Sequence, residues 1–483
     1  MLVPSGNLAF RCEAHLRIRL GVMESFMKEF VLSLFVSSDE SSRSTDFANS
    51  IHSIVIRGNS GHICKAELII PMKSAKMTEL VERNKNCLLY SCLTNPSDES
   101  FSITKKVLTD LDIPLQKIFV EKNLLCFSLI RDEMIKSALT VVIGAGQHYG
   151  QSRILHSKKV VITHDTSSKK TDSVDLYRGH VILSHIVNSL KFAGAEVQRV
   201  HHGEKEIIRS ASEFSSSPDN CSQPSVDHSV EENLSKMYLR RSGKSLACDD
   251  VYWGDVLKYK HLISTETGKA WKVSAEDLCK IMLDELKAAM ELKYGSVVGK
   301  EAMDFLDKEA HHCMTLFLLS KTYSDDLRVD TSDSAQNTKE WAFVLYNYAR
   351  LKMILKSFES KVSDGSLSPL PDIKDIDFSL LKHDEEWTLV WEYVIRWPEI
   401  VEEFATAFVK NPTKIKTSTV VKFLSTLSHR FSVYYRRFRV LVSGDFPHLM
   451  PLMYSRLYFL KSIMMIMDIC FNVLGVDSPP ECM

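Results

Sequence analysis

Residues 176–200 read LYRGHVILSHIVNSLKFAGAEVQRV and follow a strand-like run, KKVVIT, at 158–163. An apolar β-branched run, a turn ending in Gly179-His180, an amphipathic helix and a second short apolar run are the parts of a βαβ unit. Such units hold nucleotides where the first strand turns into its helix. A Ser-rich segment follows at 210–229, with eight Ser, two Pro and no apolar period. That composition buries too little surface to offset chain entropy, so 205–255 is expected to be a flexible linker. A parallel sheet needs further strands, each reached by a crossover of a dozen or more residues. The roughly 50 residues of 205–255 read as too few for them, so 158–204 is expected to be the remnant of a nucleotide-binding fold.

The 483 residues allow two to four domains with a sizeable core. A formal net charge of −1 excludes global attraction to nucleic acid or membrane, so a charged partner must meet a local patch. The 11 Cys include no Cys-x-x-Cys pair and fit reduced thiols in an intracellular protein. Early arginines, Arg11, Arg17 and Arg19, break any signal-peptide pattern, and Met23 is a candidate start. The apolar stretch 457–476 contains Lys461, Asp468 and Asn472 and reads as a packed helix, with no membrane contact expected.

Outward from the βαβ unit, the fold class is α+β and multi-domain. Residues 1–45 read as an N-terminal extension. Residues 46–157 read as an α+β domain, with strand-like runs SIVIRG, AELIIP, CLLYSCL and LLCFSLI and helices near 75–83 and 131–142. Residues 256–335 read as a helical connector, opened by Ser274 as a helix cap, and 336–483 as an all-α bundle. In 419–440, Val420, Phe423, Leu424, Leu427, Phe431, Tyr434 and Phe438 share one face at helical spacing. Leu457, Leu460, Met464, Met467, Phe471 and Leu474 do the same in 455–474. Residues 404–444 hold eight Lys/Arg and no Asp or Glu, whereas 372–403 hold ten acids against three bases. The one-sided basic run, with FSVYYRRFR inside it, has the composition for phosphate contacts and base stacking.

In chain order these segments resemble arginyl-tRNA synthetases. LIRDEMIKSALTVVIGAGQHYG at 129–150 is similar to the end of their N-terminal tRNA-contacting domain, and KKVVIT to their first catalytic strand. FVLYNYARLKMILK at 343–356, RWPEIVEEFATAF, VVKFLSTLSHRFSVYYRRFRVL and the terminal LGVDSPPECM resemble their DALR anticodon-binding bundle. The departures lie in the nucleotide site. The class I signature His-x-Gly-His stands here as Tyr177-Arg178-Gly179-His180, and Tyr cannot supply the missing imidazole's charge. A Lys-Met-Ser-Lys-type loop is absent, since KMTEL at 76–80 lies before the fold begins. DIDFSLLKHDEEW at 375–387 and PHLMPLMYSRLYFLK at 447–461 resemble the DALR anticodon-binding domain-containing protein 3 family more than a working synthetase. That resemblance implies a non-catalytic, cytoplasmic protein that binds arginine tRNA and hands it to a methyltransferase making 3-methylcytidine in the anticodon loop. Neither DNA nor membrane is an expected partner. A divergent arginyl-tRNA synthetase and a protein-only assembly factor are the alternatives.

By the same resemblance Tyr346, Asn347 and Arg350 occupy the helix that lies along the anticodon loop, and Met483 matches a terminal Met that packs near it. Arg430, Arg436, Arg437 and Arg439 complete the expected tRNA-binding set from the basic run. No catalytic residue, cofactor or metal is expected. His201-His202 and His311-His312-Cys313 suggest a metal, but neighbours on a helix diverge by about 100° and cannot chelate together. RRSGKS at 240–245 lacks the first Gly and the preceding strand of a phosphate loop and reads as an exposed basic loop.

Overall fold

A computed structural model of the chain describes residues 26, 30, 33–34, 56–57, 66–73, 87–110, 113–164, 173–201, 234–241, 255–295 and 299–477. The chain divides into two compact units. One comprises Met1–Gly150, Lys361–Glu399 and Arg439–Ile463; the other comprises Gln151–Ser360, Ile400–Phe438 and Met464–Met483. The segment 336–483 therefore contributes to both units.

The first unit is built on strands Ile56–Arg57 (β1), Leu68–Pro71 (β2), Leu115–Glu121 (β3) and Leu124–Leu129 (β4). They pair antiparallel in the order β1-β2-β4-β3. Lys122 and Asn123 join β3 to β4 with φ of 49° and 63°, the left-handed pair that suits the twist of a two-residue hairpin. Helices Leu88–Thr94 (α1), Asp98–Asp110 (α2) and Arg131–Ala145 (α3) join these strands in the first unit, whose bounds differ from the expected 46–157: it includes Met1–Gly150 together with Lys361–Glu399 and Arg439–Ile463. One expected strand, CLLYSCL, is instead α1. The run 87–93 contains no β-branched residue, Cys87 caps the helix by accepting the Tyr90 N–H at 3.4 Å, and Leu89 and Cys92 are buried three residues apart. The helix expected at 75–83 lies outside the described residues.

Part of the expected N-terminal extension belongs to this unit. Phe26, Phe30 and Leu34 are helical and buried at a spacing of four. The Phe30 ring meets Phe127 edge-on at 5.1 Å, and Phe26 meets Trp391 at 6.0 Å. The Tyr149-Gly150 pair has its own physical cause. Tyr149 donates its hydroxyl to the Val394 carbonyl at 2.9 Å, and Trp397 donates its indole N–H to the Tyr149 carbonyl at 3.1 Å. A Cβ on Gly150, at φ +78°, would lie 2.5 Å from Trp397 Cδ1, so only glycine fits.

The second unit corrects the reading of the middle of the chain. Its sheet has four parallel strands, Lys159–His164 (β5), Glu196–His201 (β6), Leu234–Arg241 (β7) and Asp255–Tyr259 (β8), in the order β6-β5-β7-β8. The expected linker 205–255 thus supplies β7, which sits between β5 and β8 and buries Met237, Tyr238 and Leu239. A continuous buried run is the mark of a central parallel strand covered on both faces, and Val160, Val161 and Ile162 of β5 show it too. The sheet is therefore larger than a two-strand remnant. Helix Val174–Phe192 (α4) connects β5 to β6. Tyr177, Gly179 and His180 lie within this helix, not in the turn expected before it.

The expected helical connector 256–335 also carries strands. Leu262–Ser264 (β9) and Leu327–Val329 (β10) pair in parallel on either side of helices Ala275–Tyr294 (α5) and Lys300–Leu319 (α6). Ser274 caps α5 as expected, accepting the Asp277 N–H at 3.0 Å. The later helices include Ala335–Ser363 (α7), Thr419–Arg437 (α8) and Met450–Leu474 (α9). Among the described residues, Pro447–Leu474 is long and apolar enough to cross a membrane by length and composition. Its most apolar window is 72% buried inside the protein, which is the pattern of a core helix.

Candidate nucleic-acid interface

Helix α7 spends one face on the core. Trp341, Val344, Leu345, Tyr348, Leu351, Leu355 and Phe358 are buried at steps of three and four, leaving Tyr346, Arg350 and Met353 on another face. Helix α8 buries Val420, Phe423, Leu424, Leu427, Phe431 and Tyr434, the stripe its spacing predicts. It ends earlier than expected, because Phe438 turns to an extended backbone of φ −121° and ψ 121°.

The two outer faces meet around one guanidinium. The Arg350 carbon Cζ stands 4.4 Å from the Tyr346 ring centroid and 4.4 Å from that of Tyr435 on α8. Arg350 also donates to the Tyr346 hydroxyl at 2.7 Å. Cation–π attraction on two rings orders a planar fork that would otherwise sample many rotamers. Beside this stack Phe343, Tyr346, Arg350, His429, Ser432, Val433 and Arg436 line a groove of about 340 Å³. The volume falls at the small end of ligand sites, and the lining combines aromatic faces with two arginines. Phe343 and His429 stack at 4.5 Å and 25°, adding a second flat surface.

The electrostatics are less one-sided than residues 404–444 suggest. Glu340 of α7 accepts from His429 Nε2 at 3.1 Å and from the Ser425 hydroxyl. An acid distant in sequence thus faces the basic helix and holds the His429 ring against Phe343.

The residues expected to contact tRNA separate into groups. Tyr346, Arg350 and Arg436 border the groove. Arg430 and Arg437 are exposed on α8 outside the groove lining. Asn347 is wholly buried, donating to the Phe343 carbonyl at 2.8 Å and accepting from Arg350 at 3.5 Å, so it supports the arginine from beneath and presents no surface to RNA. Arg439 lies beyond the end of α8, bonded to the Leu441 carbonyl at 3.2 Å, and belongs to the first unit. The expectation that it shares a helix with Arg436 and Arg437 is corrected. Met483 lies outside the described residues. Tyr435 and Phe343 are the contributors that composition alone missed. Tyr435 stood in the quoted aromatic-basic run, but only its pairing with Arg350 gives it a role.

In the Tyr177–His180 stretch, Tyr177 and Arg178 are engaged by other parts of the protein. Tyr177 hydrogen-bonds Thr315 of α6, and burial pushes its hydroxyl above the ordinary range. Arg178 is fully buried and donates to four carbonyls: Lys260 at 2.7 Å, Leu318 at 3.3 Å, Asp325 at 3.3 Å and Thr322 at 3.4 Å. Gly179 is buried within α4 and His180 is exposed.

Residues 344–483 match the family model described as DALR anticodon binding domain. Two curated relatives are named DALR anticodon-binding domain-containing protein 3. The zebrafish (Danio rerio) protein is 29% identical over 219 residues, covering 44% of this chain and 39% of the relative. The mouse (Mus musculus) protein is 31% identical over 236 residues, covering 46% and 43%. The matched stretches thus span about two fifths of those relatives' length. An arginine–tRNA ligase of Borreliella afzelii is 25% identical over 41% of this chain and 30% of its own. Among solved structures, arginyl-tRNA synthetases of Thermus thermophilus (TM-score 0.54, 11% identity, 90% of this chain and 98% of that one) and Plasmodium falciparum (0.56, 12%, 95% and 100%) share the fold. The groove between α7 and α8 therefore lies, but for Phe343, in the stretch that matches the DALR anticodon binding domain model, on a fold shared with arginyl-tRNA synthetases and in a chain similar to proteins named DALR anticodon-binding domain-containing protein 3.

Proposed function

We propose that this chain is a non-catalytic tRNA-binding protein of the cytoplasm that recognises arginine tRNA by its anticodon loop. In this reading it presents the loop to a partner methyltransferase that forms 3-methylcytidine there. The observation that carries the RNA-binding part is the Tyr346–Arg350–Tyr435 stack beside a groove that also holds Arg436. Stacked aromatic and guanidinium planes accept splayed bases, and flanking arginines neutralise phosphates. The methyltransferase is supported by the resemblance of 375–387 and 447–461 to the DALR anticodon-binding domain-containing protein 3 family.

Charge reversal tests the phosphate contribution. Arg436→Glu with Arg437→Glu is expected to weaken tRNA binding across sequences and to flatten its salt dependence by about one to two units of slope. Both side chains are exposed, so the fold should survive. Unchanged affinity at low salt would reduce the run to a solvated surface and favour the protein-only assembly role.

The absence of catalysis has support that does not depend on the size of the sheet. Tyr177 replaces the first signature imidazole and is bonded to Thr315, and the sequence holds no Lys-Met-Ser-Lys run. ATP–pyrophosphate exchange with arginine and tRNA is therefore expected to stay at the blank. Exchange above it would restore the divergent-synthetase reading.

A further inference from the structure

We propose that Cys279, Asp307 and His311 form a binding site for a divalent cation of the Zn²⁺ class, bridging α5 and α6. The adjacent pair His311-His312 drew attention in the sequence, yet neither His312 nor Cys313 joins the group. The fold supplies a different combination: an Asp and a His four apart on α6, which share one face of a helix, and a Cys from the neighbouring α5. The three ligand atoms lie within 4.8 Å of one another. Cys279 Sγ is 3.4 Å from His311 Nδ1, and that nitrogen is 3.7 Å from Asp307 Oδ2. Bonds of about 2.3 Å to sulfur and about 2.0 Å to nitrogen and oxygen, at tetrahedral angles, separate donors by about 3.3–3.6 Å. Both measured separations meet that requirement with small side-chain adjustments.

The donor set selects the ion. A thiolate, an imidazole and one carboxylate suit Zn²⁺ or Co²⁺, whereas Mg²⁺ and Ca²⁺ need oxygen ligands. Access is open from one side, because the Asp307 and His311 side chains are 57% and 50% exposed while Cys279 is buried. Burial, with the nearby Asp307 charge, pushes the Cys279 thiol up to about 11, so it is protonated without a cation. Binding releases that thiol proton to solvent and moves the His311 ring proton from Nδ1 to Nε2, breaking the 2.9 Å bond from Nδ1 to the Asp307 carbonyl. Three protein ligands leave the fourth position of a tetrahedron to water.

The test is titration of the full chain, first stripped with a chelator, with Co²⁺ alone. The expected result is a thiolate-to-cobalt absorption band with visible bands of tetrahedral intensity, saturating at one ion per chain and abolished by Zn²⁺. Cys279→Ser should lose the sulfur band, and Asp307→Asn and His311→Ala should weaken Co²⁺ binding by about tenfold or more. The last two substitutions change exposed side chains, so they decide the matter even if Cys279→Ser fails to fold. The proposal is overturned if the wild-type chain shows no sulfur band, if a folded Cys279→Ser keeps it, or if the Asp307 and His311 variants bind Co²⁺ as tightly as wild type.

Discussion

Replacing Arg178 by methionine should destabilise the second unit by about 1–3 kcal/mol, because carbonyls it bonds lose their donor. Burial pushes the guanidinium down from its ordinary 12.5 to about 10. Holding it charged at neutral pH therefore costs about 3 kcal/mol. The fold retains it because the side chain donates to the carbonyls of Lys260, Leu318, Thr322 and Asp325. A buried acceptor left unpaired costs about 1–3 kcal/mol. The buried Leu318 carbonyl and the half-buried Lys260 carbonyl bear most of that loss, because the Thr322 carbonyl keeps the Asp325 N–H at 2.9 Å and Asp325 is exposed. Methionine fills much of the volume but pairs with none of the four. Arg178→Lys keeps the charge, yet one ammonium cannot reach four carbonyls, so it should recover only part of the loss. Urea midpoints of the three proteins, followed by the fluorescence of a probe in the second unit, check this. Equal midpoints would show that water satisfies the carbonyls and that Arg178 is dispensable.

The second large effect is on binding. Arg350→Ala should lower affinity for arginine tRNA by about 2–3 kcal/mol, roughly 30- to 150-fold, because it removes a cation and unseats two rings together. Tyr346 and Tyr435 each face the guanidinium at 4.4 Å, so both rings lose that contact once the side chain is gone. Arg350→Lys should behave nearly as badly for discrimination while restoring part of the bulk affinity, since an ammonium neutralises a phosphate but does not stack as a plane. Tyr346→Ala and Tyr435→Ala should each weaken binding and narrow the preference for arginine tRNA, by removing one stacking face of the pair around Arg350. Filter binding at fixed salt measures all four. An arginine-to-lysine change with no effect on discrimination would mean that charge alone acts at this position.

What could be read from the sequence follows the range of the interactions. Helices α8 and α9 were legible because their apolar stripes are local and regular. Strand β5 and helix α4 were legible for the same reason. Strand β7 was not, because Met237, Tyr238 and Leu239 make a short run behind a Ser-rich segment. Its identity as a strand depends on Lys159–His164, some 75 residues earlier in the chain. The burial of Asn347 was available in principle: it lies three residues after Val344 and four before Leu351, on the core stripe, whereas Tyr346 is rotated about 100° away. Family likeness drew Tyr346 and Asn347 together where helical geometry separates them. Neither the pairing of Glu340 with His429 nor that of Cys279 with His311 was legible, since each joins residues of two helices.

The central claim is that this groove reads a particular anticodon loop and is more than a basic surface. Competition binding of the full chain against a panel of purified tRNAs, at one salt concentration, tests it most directly. The account predicts that arginine tRNA displaces the others, and that a transplanted arginine anticodon loop carries the preference into a foreign tRNA body. Equal competition by every tRNA, or a preference that stays with the tRNA body when the loop is exchanged, would contradict it.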